Sequence, residues 1–469
     1  MSLSFLVCIL ALAFLMFVAY RGFSVILFAP IAALGAVLLT EPKAVLPIYS
    51  GLFMSKMVVF VQLYFPAFML GAIFGKVIEL SGFAKSIVHS VVRIVGASRA
   101  MLSIVVVCML LTYGGVSLFV VVFAVYPFAV ELFRELNIPK RLIPGTLALG
   151  SFTVTMDCLP GTPQIQNIIP TTFFKTDAYA APWLGTLGAV FIIILGMSYL
   201  EWQRRKAAKA GEGYGTGHIN EPAPVDMTQL ANPVIAILPL FVVGISNVVL
   251  TKIFIPRWYG DAITVKLSEG MKDPVVTKIA SVVGIWAVEM ALVLGILTVV
   301  IFAFKTIAKD FASGTKTAIG GALLASINTA SEYGFGSTIA ALPGFVVIAG
   351  ALKAIPNPLV KEALSVNILA GITGSASGGM GIALAAMSQQ FIEAANVAHI
   401  PLQVLHRVAS MASGGMDTLP HNGAVITLLA VTGLTHRQSY KDIFAVTCIK
   451  TLAVFFIILL YYVCGGHLV

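Results

Sequence analysis

Charged residues are scarce in this chain: only 10% of its 469 residues are Asp, Glu, Lys or Arg, whereas 59% are hydrophobic. Soluble domains usually contain about 25% charged residues, so the composition excludes an ordinary soluble core. The catalytic patterns HExxH and GxSxG do not occur, and the spaced glycines of residues 211–217 follow no predicted strand. A hydrolytic or nucleotide-binding enzyme is therefore disfavoured, and an intramembrane enzyme is kept only as a remote alternative.

Cysteine is also rare, and its spacing predicts neither a disulfide framework nor a zinc site. No CxxC pair occurs, and most of the five cysteines lie in apolar segments. We expect no metal and no cofactor. The formal net charge of +9 suits cytoplasmic loops and lipid headgroups, with no sign of a nucleic-acid partner. The cysteines are Cys8, Cys108, Cys158, Cys448 and Cys464.

Long apolar runs dominate what is present. A membrane-spanning helix needs roughly 20 apolar residues, and no basic segment precedes the first run, which we interpret as a retained helix and not as a signal peptide. The pattern predicts an all-α polytopic membrane protein of about 12 helices plus hairpins in a bacterial-type inner (plasma) membrane. The runs are 3–19, 23–39, 104–130, 183–200, 234–250, 282–304 and 443–463.

One unusual peptide occurs twice. Residues 156–160 read Met-Asp-Cys-Leu-Pro, and residues 416–420 read Met-Asp-Thr-Leu-Pro. Further matches follow in the same order, which predicts two structural repeats. They are Gly82-Phe83 with Gly344-Phe345, Ile138-Pro139 with Ile400-Pro401, and the segment 112–117 with 373–379.

Charge placement predicts that these repeats are inverted. A basic cluster, Arg204 to Lys206, follows the last apolar helix of the first repeat, whereas Arg437 and Lys441 precede that of the second. Because basic residues favour the cytoplasmic side, equivalent helices with opposite basic ends point in opposite directions. We predict a first transmembrane half over 1–200, a flexible cytoplasmic linker over 201–229 and a second half over 230–469.

Segments rich in Gly, Ser and Thr are the first candidate site. Glycine lets a helix unwind, and the new helix N-terminus offers N–H groups to a carboxylate. Tight packing by small residues is the alternative, but the symmetric positions favour ligand binding. The candidate substrate-binding residues are Tyr113, Gly114, Gly115 and Ser117 in the first half and Thr373, Ser375 and Ser377 in the second.

The Asp-Leu-Pro segments are the second candidate site. Proline interrupts a helix, so both regions should be discontinuous. Asp157 and Asp417 are either proton carriers or caps of broken helices, and the two interpretations stay open. Neighbouring polar residues are assigned to the substrate, although a structural role for the histidine is equally compatible. They are Thr162, Gln164, His421 and Asn422.

A third polar segment covers residues 328–336 and suits the tip of a re-entrant hairpin. Asn328 is assigned to the substrate, and Glu332 is either a third proton-coupling acid or a solvated charge at a loop end. No Arg or Lys occurs in any of these motifs. Dicarboxylates and phosphates usually need Arg, so the motifs favour a small hydroxylated monocarboxylate.

At these residues the chain resembles the gluconate permease (GntP-type) family of proton symporters, within the wider ion-transporter superfamily. The similarity covers nearly the whole chain. The resemblance implies inverted repeats, re-entrant hairpins, a site at the membrane midplane and proton-coupled uptake of sugar acids. It is clearest at residues 113–117, 159–163, 374–377 and 413–423.

The chain departs from the gluconate type at two places. Residues 156–164 replace a His-rich, Pro-rich turn, and Gly114 stands where that type has a glutamate. The chain looks more like the D-β-hydroxybutyrate permease branch, so 3-hydroxybutyrate is the preferred substrate. The alternatives are a sugar-acid:proton symporter, a sodium-coupled carrier or anion exchanger of the same fold, and a channel. Lipid is the expected surface partner, and the same apolar surface would suit a homodimer.

Overall fold

The computed structural model describes residues 3–468 except 22, 97–98, 223–229, 269–272, 346, 348–349, 351–354 and 421. The fold is almost entirely helical, apart from a small antiparallel ribbon of β1 (Ala262–Val265) and β2 (Val275–Lys278). Helices of the first half are α1 Leu3–Tyr20, α2 Val25–Thr40, α3 Pro42–Leu80, α4 Phe83–Val95, α5 Ala100–Tyr113, α6 Leu118–Glu135, α7 Leu142–Ser151, α8 Val154–Asp157, α9 Ile165–Phe174 and α10 Pro182–Lys209. Those of the second are α11 Pro233–Tyr259, α12 Val283–Ile307, α13 Phe311–Ala340, α14 Pro358–Thr373, α15 Ala376–Val397, α16 Leu402–Gly415, α17 Gly423–Thr432 and α18 His436–Cys464.

The outer helices present an apolar surface. Among the described residues, five helices (α3, α10, α11, α12 and α18) are long and apolar enough to cross a membrane. Large apolar side chains are exposed on them and on α2, including Leu39, Ile301 and Val463. Since water would not favour so much exposed apolar surface, lipid is the solvent that these faces fit. The chain is a polytopic membrane protein.

Two helical hairpins interrupt this pattern. In the first, α5 returns as α6 after a tip at residues 114–117, and in the second, α14 returns as α15 after residues 374–375. Both tips contain buried residues, so each hairpin ends inside the protein and is re-entrant. The apolar run 104–130, which the sequence predicts as one span, therefore forms the two arms of the first hairpin.

Broken helices follow each hairpin. In the first half α7, α8 and α9 form the pieces, and in the second half α16 and α17 form them. α7 packs against α17, and α9 packs against α16. The first piece of each broken helix thus lies beside the last piece of the other, so the two run antiparallel. This contact pattern confirms the inverted repeat.

Helices α3 and α13 form the scaffold between the repeats. They pack against each other along much of their length, while α12 packs on α3 and α2 packs on α13. Glycines permit close approach: a Cβ on Gly295 of α12 would overlap Val243, and one on Gly336 of α13 would crowd Ile382. Small residues at helix crossings are the usual means of close packing in membranes.

The linker differs from its prediction. α10 continues beyond residue 200 to Lys209, and the described part of the remainder, 210–222, is bound to both halves and is not a free tether. Arg141 pairs with Glu212 at 2.7 Å, and Lys140 pairs with Glu221 at 2.7 Å. Asn220 Nδ2 donates to Ala430 O at 2.9 Å. Side-chain hydrogen bonds thus order a segment whose Gly-rich composition predicts flexibility.

Candidate functional site

The first break places Asp157 in the protein interior. Its side chain is buried, and Oδ1 accepts a hydrogen bond from Cys158 Sγ at 2.9 Å. The Asp157 carbonyl accepts hydrogen bonds from Ser410 Oγ at 2.8 Å and from Arg407 Nη1 at 3.1 Å. Gly414 leaves room for the carboxyl group, since a Cβ there would overlap Asp157 Oδ2. Helix α16 of the second half therefore shapes the pocket of the first-half aspartate.

The first hairpin tip is tied to the first break. Gln164 Nε2 donates to Thr112 O at 2.8 Å, and Tyr113 Oη donates to Pro160 O at 2.9 Å. Thr162 Oγ1 donates to Thr155 O at 2.5 Å. The structure therefore brings the predicted residues Tyr113, Thr162 and Gln164 together beside the tip formed by Gly114, Gly115 and Ser117.

The second hairpin tip is tied to the second break in the same way. Asn422, the N-cap of α17, donates through Nδ2 to Gly374 O at 2.7 Å. Ser375 caps α15 by accepting from Gly378 N at 3.0 Å, and Thr373 Oγ1 donates to Ser375 O at 3.2 Å. Gln164 is likewise the N-cap residue of its helix. An amide at equivalent positions thus holds each tip.

The second break carries a buried ion pair. Lys450 Nζ of α18 donates to Asp417 Oδ1 at 2.7 Å and to Phe152 O at 3.2 Å. Lys450 and Asp417 are both buried. Lys450 therefore links the aspartate of one broken helix to a backbone carbonyl freed by the break in the other. A buried carboxylate paired in this way is stable as an anion, unlike an isolated one.

The structure corrects two expectations for the third polar segment. Glu332 is not a solvated charge at a loop end, and residues 328–336 do not form a hairpin tip. The segment lies inside the continuous helix α13, and the Glu332 side chain is only 3% exposed. Its Oε2 has no hydrogen-bond partner among the described residues. Because a Cβ on Gly378 would overlap this oxygen, Glu332 lies directly against the first turn of α15. Asn328, one turn earlier, is half-buried.

A hydrogen-bond contact extends the second site. Ser377 Oγ lies 3.3 Å from Thr329 Oγ1, so the hairpin and α13 meet through hydroxyl groups. No hydrogen bond joins the first-half candidates to the second-half candidates within the described ranges. The predicted residues thus form two groups, one at each tip. His421 lies outside the described residues.

Basic residues close to the breaks were missed by the motif analysis. Besides Lys450, α16 contributes His406 and Arg407, both fully buried. Arg407 Nη2 donates to Ala180 O at 2.8 Å, and His406 Nδ1 lies 2.7 Å from Thr176 Oγ1. The absence of Arg and Lys from the motifs therefore does not mean their absence from the site. An ionisable residue within an apolar run, such as Lys450 in 443–463, was the available signal.

A cavity of about 360 Å³ adjoins the first tip and break. Its walls are mostly apolar, with Tyr113 and Thr155 as polar members. Thr155 Oγ1 is buried and has no hydrogen-bond partner among the described residues. An apolar cavity with a few polar groups is the usual form of a small-molecule site. No group of three or more His, Cys, Asp or Glu that could hold a metal occurs in the described part of the chain.

Comparisons with known proteins agree with this architecture. No protein-family model matches the sequence. The chain is 58% identical over 469 residues to YxjC of Bacillus subtilis (strain 168), described as an uncharacterized transporter, with 98% of this chain and 99% of that protein covered. The crystal structure of the Alcanivorax borkumensis YdaH transporter, described as having an unusual topology, superposes with a TM-score of 0.51 over 89% of this chain and 88% of that chain. At 14% identity, this second likeness shows the fold alone.

Proposed function

Since this chain belongs to the family of the Bacillus subtilis transporter YxjC, we propose that it is a symporter that imports a small hydroxymonocarboxylate together with protons across the bacterial inner membrane. D-3-Hydroxybutyrate is the preferred substrate, on the resemblance to the hydroxybutyrate branch of the gluconate permeases. The inverted repeats would provide alternating access by rocking around the two tips. The chain is a transporter, and an enzymatic role has no support from its relatives.

The observation that carries proton coupling is Glu332. Its carboxyl group is buried against Gly378 with one oxygen free of partners among the described residues. An isolated buried carboxylate is costly, so such a group favours its neutral, protonated form. It can therefore bind and release a proton when the conformation changes its access to water.

The three predicted acids differ as carriers. Asp417 is held by Lys450 and suits a permanent ion pair. Asp157 has a thiol donor, and Lys450 and Arg407 are in electrostatic range. Among the described residues, Glu332 has neither a side-chain donor nor a cation in electrostatic range. We therefore rank Glu332 first, Asp157 second and Asp417 third as proton carriers.

The substrate is assigned to the first tip. The cavity there is large enough for a short hydroxy acid, and its apolar wall suits an aliphatic chain. Thr155 and Tyr113 would bind the polar groups, with Gln164 and Thr162 holding the tip in place. The hydroxyl-rich second tip, with Ser375, Ser377 and Asn422, would join when the two halves approach.

Uptake of labelled D-3-hydroxybutyrate into proteoliposomes, driven by an imposed inward proton gradient, tests this function. We expect uptake that depends on the gradient, is unaffected by sodium and resists excess gluconate. Glu332→Gln should abolish gradient-driven accumulation, whereas Glu393→Gln, at an exposed position on α15, should not. A requirement for sodium would overturn the coupling, and competition by gluconate would overturn the substrate.

A further inference from the structure

A second buried acid lies on the first arm of the second hairpin. Glu362 of α14 is fully buried. Neither Oε1 nor Oε2 has a hydrogen-bond partner among the described residues. A carboxylate without donors is strongly unfavourable in such surroundings, whereas a protonated carboxyl group carries no charge. Helix α5, the equivalent arm of the first hairpin, contains no acidic residue.

No cation compensates Glu362 in the described structure. Lys450 bonds to Asp417 and Phe152, and both His406 and Arg407 direct their nitrogens to first-half groups. The titratable residues on α14 and on the helices packed against it include Lys361, Cys8 of α1, Glu393 of α15, His406 and Arg407 of α16, and Lys450, Tyr461 and Tyr462 of α18.

Glu362 and Glu332 lie at different levels along the axis of the second hairpin. Gly379 packs directly on Ala370, so Glu332, which lies against Gly378, is close to the level of Ala370. Glu362 precedes Ala370 by about two helical turns, or about 12 Å along the axis. Measured along the hairpin axis alone, the acid near the base therefore lies about 12 Å from the level of the acid near the tip.

A polar side chain lies between these two levels. Asn367 is buried, and its Nδ2 has no hydrogen-bond partner among the described residues. The titratable neighbours of Glu332 are sparse. Tyr333 adjoins it on α13, and on the facing part of α3 Tyr64 donates to Ile169 O while Lys56 is exposed. The second hairpin carries one acid and one amide, and the adjoining helix α13 carries the other acid, each with unused hydrogen-bonding capacity.

We propose that Glu362 is a second proton-binding group of the transport cycle and that protons travel along the second hairpin between Glu362 and Glu332. Glu362, ionised at the start of the step, takes a proton from water at the hairpin base and passes it through water bound by the Asn367 amide to ionised Glu332. Glu332 then releases its proton to water on the other side of the membrane. Each acid thereby returns to its starting charge. This inference rests on the proposed proton coupling and extends it to a route confined to one repeat.

Direct proton counting tests the inference without any substrate. Purified full-length protein in detergent is titrated from about pH 6 to the highest pH at which it stays folded, and bound protons are measured with an indicator dye. The control is Glu393→Gln, which removes an exposed carboxyl group outside the proposed route and should bind as many protons as the natural protein. Glu362→Gln and Glu332→Gln should each bind about one proton fewer per chain.

Infrared spectroscopy provides a second measurement of the proton on Glu362, and it includes a variant that retains a carboxyl group at this position. The pH-difference spectrum should show a protonated-carboxyl band that is absent in Glu362→Gln and present in Glu362→Asp. The aspartate variant keeps the test valid if the glutamine variant fails to fold. An unchanged proton count and an unchanged band in Glu362→Gln would overturn the proposal. Binding of one sodium ion per chain in place of the proton would also overturn it.

Transport then separates this inference from the proposed function. If the natural protein shows no proton-driven uptake of 3-hydroxybutyrate, the proposed function fails, while the proton count still decides whether Glu362 binds a proton. If uptake is present, we expect Glu362→Gln to retain substrate exchange at equal pH and to lose accumulation against a gradient. Full accumulation by Glu362→Gln would overturn the proposed route.

Discussion

The two repeats share their geometry and differ in their charges. In both, an N-cap amide of the broken helix holds a carbonyl of the hairpin tip: Gln164 on Thr112 and Asn422 on Gly374. The first repeat carries the buried Asp157 at its break, and the cavity beside its tip is lined by neutral, mostly apolar groups. The second adds an ion pair and two buried acids. Equivalent backbones can therefore carry unequal chemistry, one suited to a substrate and the other to a coupling ion.

The largest expected effect comes from the ion pair that only the second repeat possesses. Lys450→Met leaves Asp417 buried and unpaired, which should destabilise the protein by about 3–5 kcal/mol. Asp157→Asn, at the equivalent aspartate, should change stability much less, because its carboxyl group has only a thiol donor. Thermal unfolding of the purified variants measures both. Equal losses of stability would show that the aspartates are equivalent after all.

A substitution on the second hairpin should affect coupling. Gly378→Ala would push Glu332 from its position, whereas Gly381→Ala on the same helix meets only an ordinary contact with Tyr333. We expect proton-driven uptake to fall about tenfold or more in the first variant, since a cost of about 1.4 kcal/mol already gives that factor. The second variant should transport normally. Similar uptake by both would show that the position of Glu332 is unimportant.

The shared amide contacts allow a symmetric test. Gln164→Ala and Asn422→Ala each remove a hydrogen bond to a carbonyl at or next to a hairpin tip, at about 1 kcal/mol. Asn422→Ala also removes the side-chain cap of α17, so its loss of stability should be the larger of the two. Both variants should unfold at slightly lower temperature, and substrate affinity should fall more for Gln164→Ala because the cavity adjoins the first tip. Binding of labelled substrate to purified protein measures this difference. A larger affinity loss in Asn422→Ala would move the substrate to the second repeat.

The smallest effect concerns the linker that joins the repeats. Burial alone raises the pKa of Glu221, but hydrogen bonds from Lys140 and Tyr214 outweigh it and leave the pKa below its ordinary value. Ionised Glu221 therefore stabilises the fold above its unfolded pKa of about 4.3, and this contribution is lost as the pH falls through the folded pKa.

Glu221→Gln should accordingly lower the unfolding temperature slightly at pH 7, by ~1 kcal/mol or less in free energy. The natural protein and the variant should converge at acidic pH, below the folded pKa of Glu221. Thermal unfolding at several pH values checks this. A difference that persists unchanged at low pH would assign the effect to packing instead of charge.

Sequence patterns predicted the elements that local chemistry controls. Repeated Asp-Leu-Pro peptides and Gly/Ser/Thr segments marked both breaks and both tips, because proline and glycine act on their own backbone. The residues Tyr113, Gln164 and Asn422 were found in this way, and the structure places them at the tips. Their roles in binding stay predictions. The sequence also marks Glu332, but it wrongly predicts a hairpin tip there, because polar residues in an apolar run resemble a loop.

The sequence by itself determined that this chain is a membrane protein of two repeats with interrupted helices, since hydropathy, proline and glycine act locally. Only the tertiary structure decided which charges meet. Lys450 approaches Asp417 from a later helix, and Arg407 reaches the first break from the second repeat. Glu362 is left without a partner among the described residues. Such pairings depend on how distant helices pack, and side-chain spacing along one helix carries no information about them.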